Sequence, residues 1–144
     1  MHFVEDVLNE KGREVWTVEP EQSVYEALEL MAAKNIGALV VVCEGRLIGI
    51  CSERDYARKL ALLGRRSRET PVREIMTEVI ATVTRNHSMQ DCMEVMTHER
   101  VRHLPVVENE RLIGLVSIGD VVKSLMSHQE QMIQQLENYI TGRV

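Results

Sequence analysis

The chain repeats itself, and that limits its possible folds more than any other feature. At a constant offset of 65 residues, Ser23 faces Ser88. Val15-Trp16-Thr17-Val18 faces Ile80-Ala81-Thr82-Val83, Met31 faces Met96, and Leu39, Val41 and Val42 face Leu104, Val106 and Val107. Arg46-Leu47-Ile48-Gly49 is identical to Arg111-Leu112-Ile113-Gly114. Ser52, Asp55 and Leu60 face Ser117, Asp120 and Leu125. With three residues inserted in the first copy the match extends upstream, and Val4-Glu5-Asp6-Val7-Leu8 faces Val72-Arg73-Glu74-Ile75-Met76. Nearly the whole chain is two copies of one supersecondary unit.

Each copy carries the same order of elements. A short apolar helix opens it, and an extended piece follows at residues 16–18 or 81–83. Ser23 with Glu26, and Ser88 with Asp91, are capping-box patterns that start a helix. Val24, Ala27, Leu28 and Met31 then recur at helical spacing, as do Met89, Cys92, Met93 and Met96. Two β-branched runs, 38–42 and 47–51 or 104–107 and 112–116, flank short polar turns and read as hairpins. A last helix opens at Ser52 or Ser117. Gly49 and Gly114 fall inside strand patterns, which marks a close backbone approach or a bulge. The expected fold is mixed α/β: two βαββα repeats packed with pseudo-two-fold symmetry, because one copy alone could hardly bury its sheet face. The expected division is a first repeat at 1–64, an exposed linker at 65–71, a second repeat at 72–126 and a tail at 127–144.

The endings Gly49-Ile50-Cys51-Ser52-Glu53-Arg54-Asp55 and Gly114-Leu115-Val116-Ser117-Ile118-Gly119-Asp120, with Arg102-His103-Leu104-Pro105-Val106-Val107, resemble cystathionine-β-synthase (CBS) domains. Two such domains form a Bateman module, and this chain resembles the small stand-alone members over about residues 4–126. The resemblance implies a regulatory module that binds an adenosine compound and signals to a partner protein. AMP is expected first, then ATP, ADP or NAD(H), with S-adenosylmethionine also among the family's ligands. No catalytic cofactor is implied.

The physics of the motif fits. An aspartate on the first turn of a helix can accept two hydrogen bonds from a ribose cis-diol. The helix N-terminus beside it favours phosphate. Carried over from the resemblance, one site uses Ser52 and Asp55 with Ile80, Ala81, Arg102 and His103. The other uses Ser117 and Asp120 with Trp16, Thr17, Gly37 and Ala38. Arg54, Arg58, Arg102 and His103 offer the first site cations for phosphate. The second has Gly119 where Arg54 stands and Gly37-Ala38 where Arg102-His103 stands. The charged nucleotide is therefore expected at the first site, and an uncharged adenosine end, or nothing, at the second. Against these readings, Ser-x-x-Asp also serves as a plain helix cap, Trp16 reads first as a core or interface plug, and residues 98–103 can be a solvated charged edge.

Composition closes other routes. The chain of 144 residues is 44% hydrophobic, enough for a packed core, with only 3% aromatics and a net charge of -5. Nucleic-acid binding needs stacking aromatics or a basic face, and only Arg65, Arg66 and Arg68 in the linker point that way. No apolar run approaches the ~18 residues of a membrane span, and residues 1–10 do not read as a signal peptide. Cys43, Cys51 and Cys92 lie in apolar contexts without CxxC spacing, so three buried, reduced thiols and a cytoplasmic protein are expected. No metal site is expected, since His98 and Cys92 do not share a helix face. There is no GxxxxGK[ST], GxSxG, HExxH or GxGxxG, so an enzyme is not expected. A scaffold with decayed nucleotide sites is the alternative. Met132, Ile133, Leu136, Tyr139 and Ile140 predict an amphipathic helix in the tail. A homodimer is expected, with helices 56–63 and 121–126 at its interface.

Overall fold

The computed structural model describes residues 2–79 and 81–142. Ile80, one of the expected site residues, lies outside them. The fold is mixed α/β, and the chain forms two compact units, residues 15–80 and residues 1–14 with 81–144.

In the first unit, β1 (Thr17–Val18) runs parallel to β2 (Ala38–Cys43), which pairs antiparallel with β3 (Arg46–Ser52). A two-residue β4 (Thr77–Glu78), with no forerunner in the sequence pattern, adds to the far edge of β3. Helix α2 (Val24–Lys34) starts where the Ser23 hydroxyl accepts the Glu26 N–H, and ends at Asn35 in a left-handed conformation. Val24, Ala27 and Met31 share one face and pack with Leu39, Val41, Cys51, Leu60, Val72 and Ile75. Helix α3 (Glu53–Tyr56) continues into a wider π-type turn over Ala57–Ala61.

The second unit repeats the pattern with its own core. Helix α1 (Val4–Lys11) contributes Val4, Val7 and Leu8 to a cluster with Val83, Met89, Cys92, Met96, Leu104, Val106, Val116 and Val121. Helix α4 (Met89–Glu99) is held at its start by reciprocal Ser88–Asp91 bonds. Strands β5 (His103–Glu108) and β6 (Arg111–Ser117) form the second hairpin. Helix α5 (Ile118–Ile140) follows at once.

Both hairpins turn on two residues with positive φ, Glu44 (49°) with Gly45 (77°) and Asn109 (49°) with Glu110 (66°). That is the geometry whose twist matches paired strands. Both carry a register shift on the strand facing the strand glycine, at Val41/Val42 and Val106/Val107.

Several expectations need correction. The opening helix of the second copy is only a 3-10 turn, Val72–Glu74, because Pro71 precedes it and the chain leaves directly for β4. The extended piece at 81–83 makes a single parallel bridge, Val83 to Val106. The stretch 65–71 is not simply an exposed linker: Ser67–Glu69 form a 3-10 turn, and Thr70 is buried while its carbonyl accepts the Val24 N–H. The tail does not form a separate helix. No Gly or Pro interrupts residues 120–141, so α5 runs through 126–127 without a break. Cys43 is exposed, because it ends β2 at the turn; Cys51 and Cys92 are buried as expected.

The candidate nucleotide site

Two helix starts are built alike, one in each unit. In residues 15–80 the Gly37 carbonyl accepts the Glu53 N–H at 3.0 Å, and Ala38 pairs with Ser52 across β2 and β3. In the other unit the Arg102 carbonyl accepts the Ile118 N–H at 2.9 Å, and His103 pairs with Ser117 across β5 and β6. Each hairpin thus hands its last strand residue to the helix as N-cap. Ser52 and Ser117 are extended, with φ of -122° and -101°, and their hydroxyls accept the N–H of Asp55 and Asp120. The aspartates return the bond to the serine N–H at 3.0 and 2.9 Å. A cap of this kind contributes ~1 kcal/mol.

The two carboxylates differ in what else they hold. Asp55 is 8% exposed and uses both oxygens. Its Oδ2 accepts the Ser52 N–H and hydroxyl; its Oδ1 accepts the Thr77 hydroxyl at 3.0 Å and faces the Lys59 ammonium at 3.1 Å. Lys59 also donates to the Ile75 carbonyl and the Thr77 hydroxyl, both at 3.2 Å. The Asp120 Oδ2 accepts the Ser117 N–H and the Lys11 ammonium, the latter at 2.7 Å, and Lys11 donates again to the Leu115 carbonyl at 2.8 Å. Burial raises the Asp120 pKa, but the Lys11 hydrogen bond, the Ser117 backbone and hydroxyl bonds and the Lys11 charge outweigh it and hold the carboxyl below its usual range.

The remaining expected residues divide between the units. Trp16, Thr17, Gly37, Ala38, Ser52, Arg54, Asp55 and Arg58 belong to residues 15–80; Ala81, Arg102, His103, Ser117 and Asp120 belong to the other unit. The Lys34 ammonium lies 4.2 Å from the centre of the Trp16 ring, so one ring face is taken. Thr17 is exposed in β1, where it pairs with Val40. Arg54, Arg58 and Arg102 are exposed, and Ala81 and His103 are half-buried. Sequence reasoning missed Lys11, Lys59 and Thr77. Lys59 stands four residues after Asp55, a spacing that brings side chains together on a helix, and could have been found. Lys11 and Thr77 carry no such local signal.

The CBS domain family model matches residues 4–62 and again 72–127. The chain belongs to the CBS-domain family. It is 40% identical over 96% of its length to the CBS domain-containing protein CBSX3, mitochondrial, of Arabidopsis thaliana, and spans 72% of that protein. A solved CBS-domain protein of Burkholderia ambifaria MC40-6, with a suggested role in signal transduction, is 48% identical with a TM-score of 0.83, over 88% of this chain and 96% of that one. The CBS domain pair of protein MJ0100 is 25% identical with a TM-score of 0.76, over 89% of this chain and 98% of that one. That pair was solved in complex with 5-methylthioadenosine and S-adenosyl-L-methionine.

Proposed function

We propose that this CBS pair is a regulatory module that binds an adenosine-containing ligand and passes a change of conformation to a partner protein. AMP is the first candidate, then ATP, ADP or NAD(H). The observation that carries the reading is the repeated helix start. Two buried or half-buried aspartates are each fixed by a serine cap at the end of a hairpin, and matched carboxylates of this kind support the reading of Asp55 and Asp120 as ribose acceptors. The adenosine ligands of the MJ0100 pair support the ligand class. Arg54 and Arg58 in one unit, and Arg102 and His103 in the other, are the proposed phosphate contacts, with the backbone at Ile80, Ala81, Trp16, Thr17, Gly37 and Ala38 proposed for the adenine edge. Signalling requires that the ligand bind two conformations unequally; a tenfold to hundredfold bias corresponds to ~1.4–2.7 kcal/mol.

The proposed assembly is a homodimer. The helix segments expected at its interface expose Leu62 and Leu63 in one unit and Val122 and Met126 in the other. The proposed location is the cytoplasm, on the strength of three cysteines with no disulfide among the described residues. Among those residues no helix is long and apolar enough to cross a membrane.

A second reading, a scaffold with decayed sites, is favoured by one observation. Both Asp55 oxygens already have partners inside the protein. Isothermal calorimetry with AMP, ADP, ATP, NAD, NADH and S-adenosylmethionine separates the two. The sensor reading expects saturable binding of at least one compound; heats of dilution alone from all six would leave the scaffold.

A further inference from the structure

The serines and aspartates of the two helix starts occupy matched positions in the two copies, but the lysines bound to them do not. The residue that matches Lys59 in the second copy is Ser124, and the residue that matches Lys11 is Val79. One lysine comes from the turn after α3, the other from the end of α1, yet each ammonium ends on the same carboxylate of the repeat, at 3.1 and 2.7 Å. Each also holds a backbone carbonyl, Ile75 for Lys59 and Leu115 for Lys11. Helix capping does not require this, since the serine bonds complete the cap.

We infer that Lys11 and Lys59 set ligand charge: each ammonium is the resident counter-ion of a ribose-binding aspartate, and it selects a phosphorylated nucleotide over the bare nucleoside. The inference rests on the reading of Asp55 and Asp120 as ribose acceptors. A ribose diol that takes both carboxylate oxygens competes with the ammonium for them. Both ammoniums are partly open to solvent, at 37% and 43% of the side chain, so each loses a screened ion pair and keeps its backbone carbonyl. A phosphate on the same ligand supplies a new anion within the reach of the flexible lysine stem. Adenosine supplies none, and S-adenosylmethionine brings a cationic sulfonium. The discrimination arises as much from penalising the wrong ligand as from rewarding the right one.

Lys11 also changes the ranking of the two helix starts. The sequence offered few cations for Asp120, with glycine at 119. The fold supplies Lys11, so the Asp120 start takes an anionic ligand as well.

The test is calorimetric titration of the intact chain with adenosine, AMP, ATP and S-adenosylmethionine, on the wild type and on Lys11→Met, Lys59→Met and Lys11→Arg. The wild type is expected to prefer AMP or ATP to adenosine and to S-adenosylmethionine by tenfold or more. Lys11→Met and Lys59→Met should each shrink that preference about tenfold at one site, with adenosine binding unchanged or tighter. Lys11→Arg should keep it. Equal losses for adenosine and AMP, or an unchanged ratio in both Met variants, would overturn the inference and leave the nucleotide site standing. A wild type that binds none of the four compounds would overturn the ribose reading, and this inference with it.

Discussion

Leu8 occupies the space that a side chain at position 114 would need. A Cβ built on Gly114 would lie 2.6 Å from Leu8 Cδ2 and 2.9 Å from Cδ1, and Leu8 is 1% exposed in the core. The matched pair in the other unit behaves the same way: a Cβ on Gly49 would meet Met76 Sδ at 2.8 Å and the Thr77 carbonyl at 2.9 Å. Leu8 and Met76 are themselves matched residues, so the segment before one hairpin always fills the glycine of the other. Gly114→Ala should lower stability by ~1–3 kcal/mol through overpacking. Gly49→Ala should cost at least as much, because a backbone carbonyl on β4 cannot swing away as a side chain can. Urea denaturation of both variants checks this; midpoints equal to wild type would contradict it.

The second hairpin turn carries a strain that a single substitution removes. Glu110 sits at φ 66°, where the first hairpin has Gly45. A non-glycine residue there costs ~1–2 kcal/mol, partly offset by the lower unfolded-state entropy it brings. Glu110→Gly is expected to raise stability by about 0.5–1 kcal/mol. Equilibrium unfolding reads this out, and a lower midpoint would show that the turn is not under strain.

The three thiols should separate by reactivity. Burial pushes Cys51 up to about 12, with the Asp55 carboxylate adding to the rise and Lys59 opposing it. Burial, then Asp91, pushes Cys92 up to about 11. Cys43 is exposed at the strand end. Iodoacetamide at pH 8 should alkylate one cysteine in the native protein and all three in denaturant, as counted by intact mass. Rapid native labelling of Cys51 or Cys92 would contradict the packing.

The Lys11–Asp120 pair predicts a particular acid dependence. Folding lowers the Asp120 pKa from its ordinary 3.8. A carboxyl depressed in this way adds stability above its unfolded pKa and loses that contribution as the pH falls through its folded value. Lys11→Met should therefore cost a few tenths to ~1 kcal/mol at pH 7, and the difference should fade only as the pH falls from the ordinary 3.8 through the lower folded value. A constant difference across that range would place the loss in packing rather than charge.

Much of this was legible in the sequence because the signals were local. The serine caps and the hairpins each depend on residues within a few positions of one another, and the strand glycines stand out in the strand pattern although Leu8 and Met76, which fill the space beside them, do not. The helices at 24–34 and 89–99 follow from a 3.6-residue apolar period and a capping serine. What stayed hidden depends on distant chain segments. Lys11 reaches Asp120 from 109 residues away, and no periodicity reports it. Thr77 lies 22 residues from Asp55, on a strand too short to show a pattern. The association of residues 1–14 with 81–144 is of the same kind. The repeat alignment shows which segments match, not which copy each leading segment packs on.

The central claim is that Asp55 and Asp120 are ribose acceptors. Its most direct test is a thermal-shift titration with AMP, ATP and NAD on the wild type, Asp55→Asn and Asp120→Asn, where the serine cap stays and the asparagine oxygen can still accept the serine N–H, but the charge and one acceptor are lost. Ligand at about 100 times its Kd should add ~2.7 kcal/mol, and each kcal/mol should raise Tm by ~2–4 °C. The account predicts a rise of several degrees in the wild type that shrinks in at least one of the two variants while both remain folded. An equal rise in all three proteins, or none in the wild type, would contradict it.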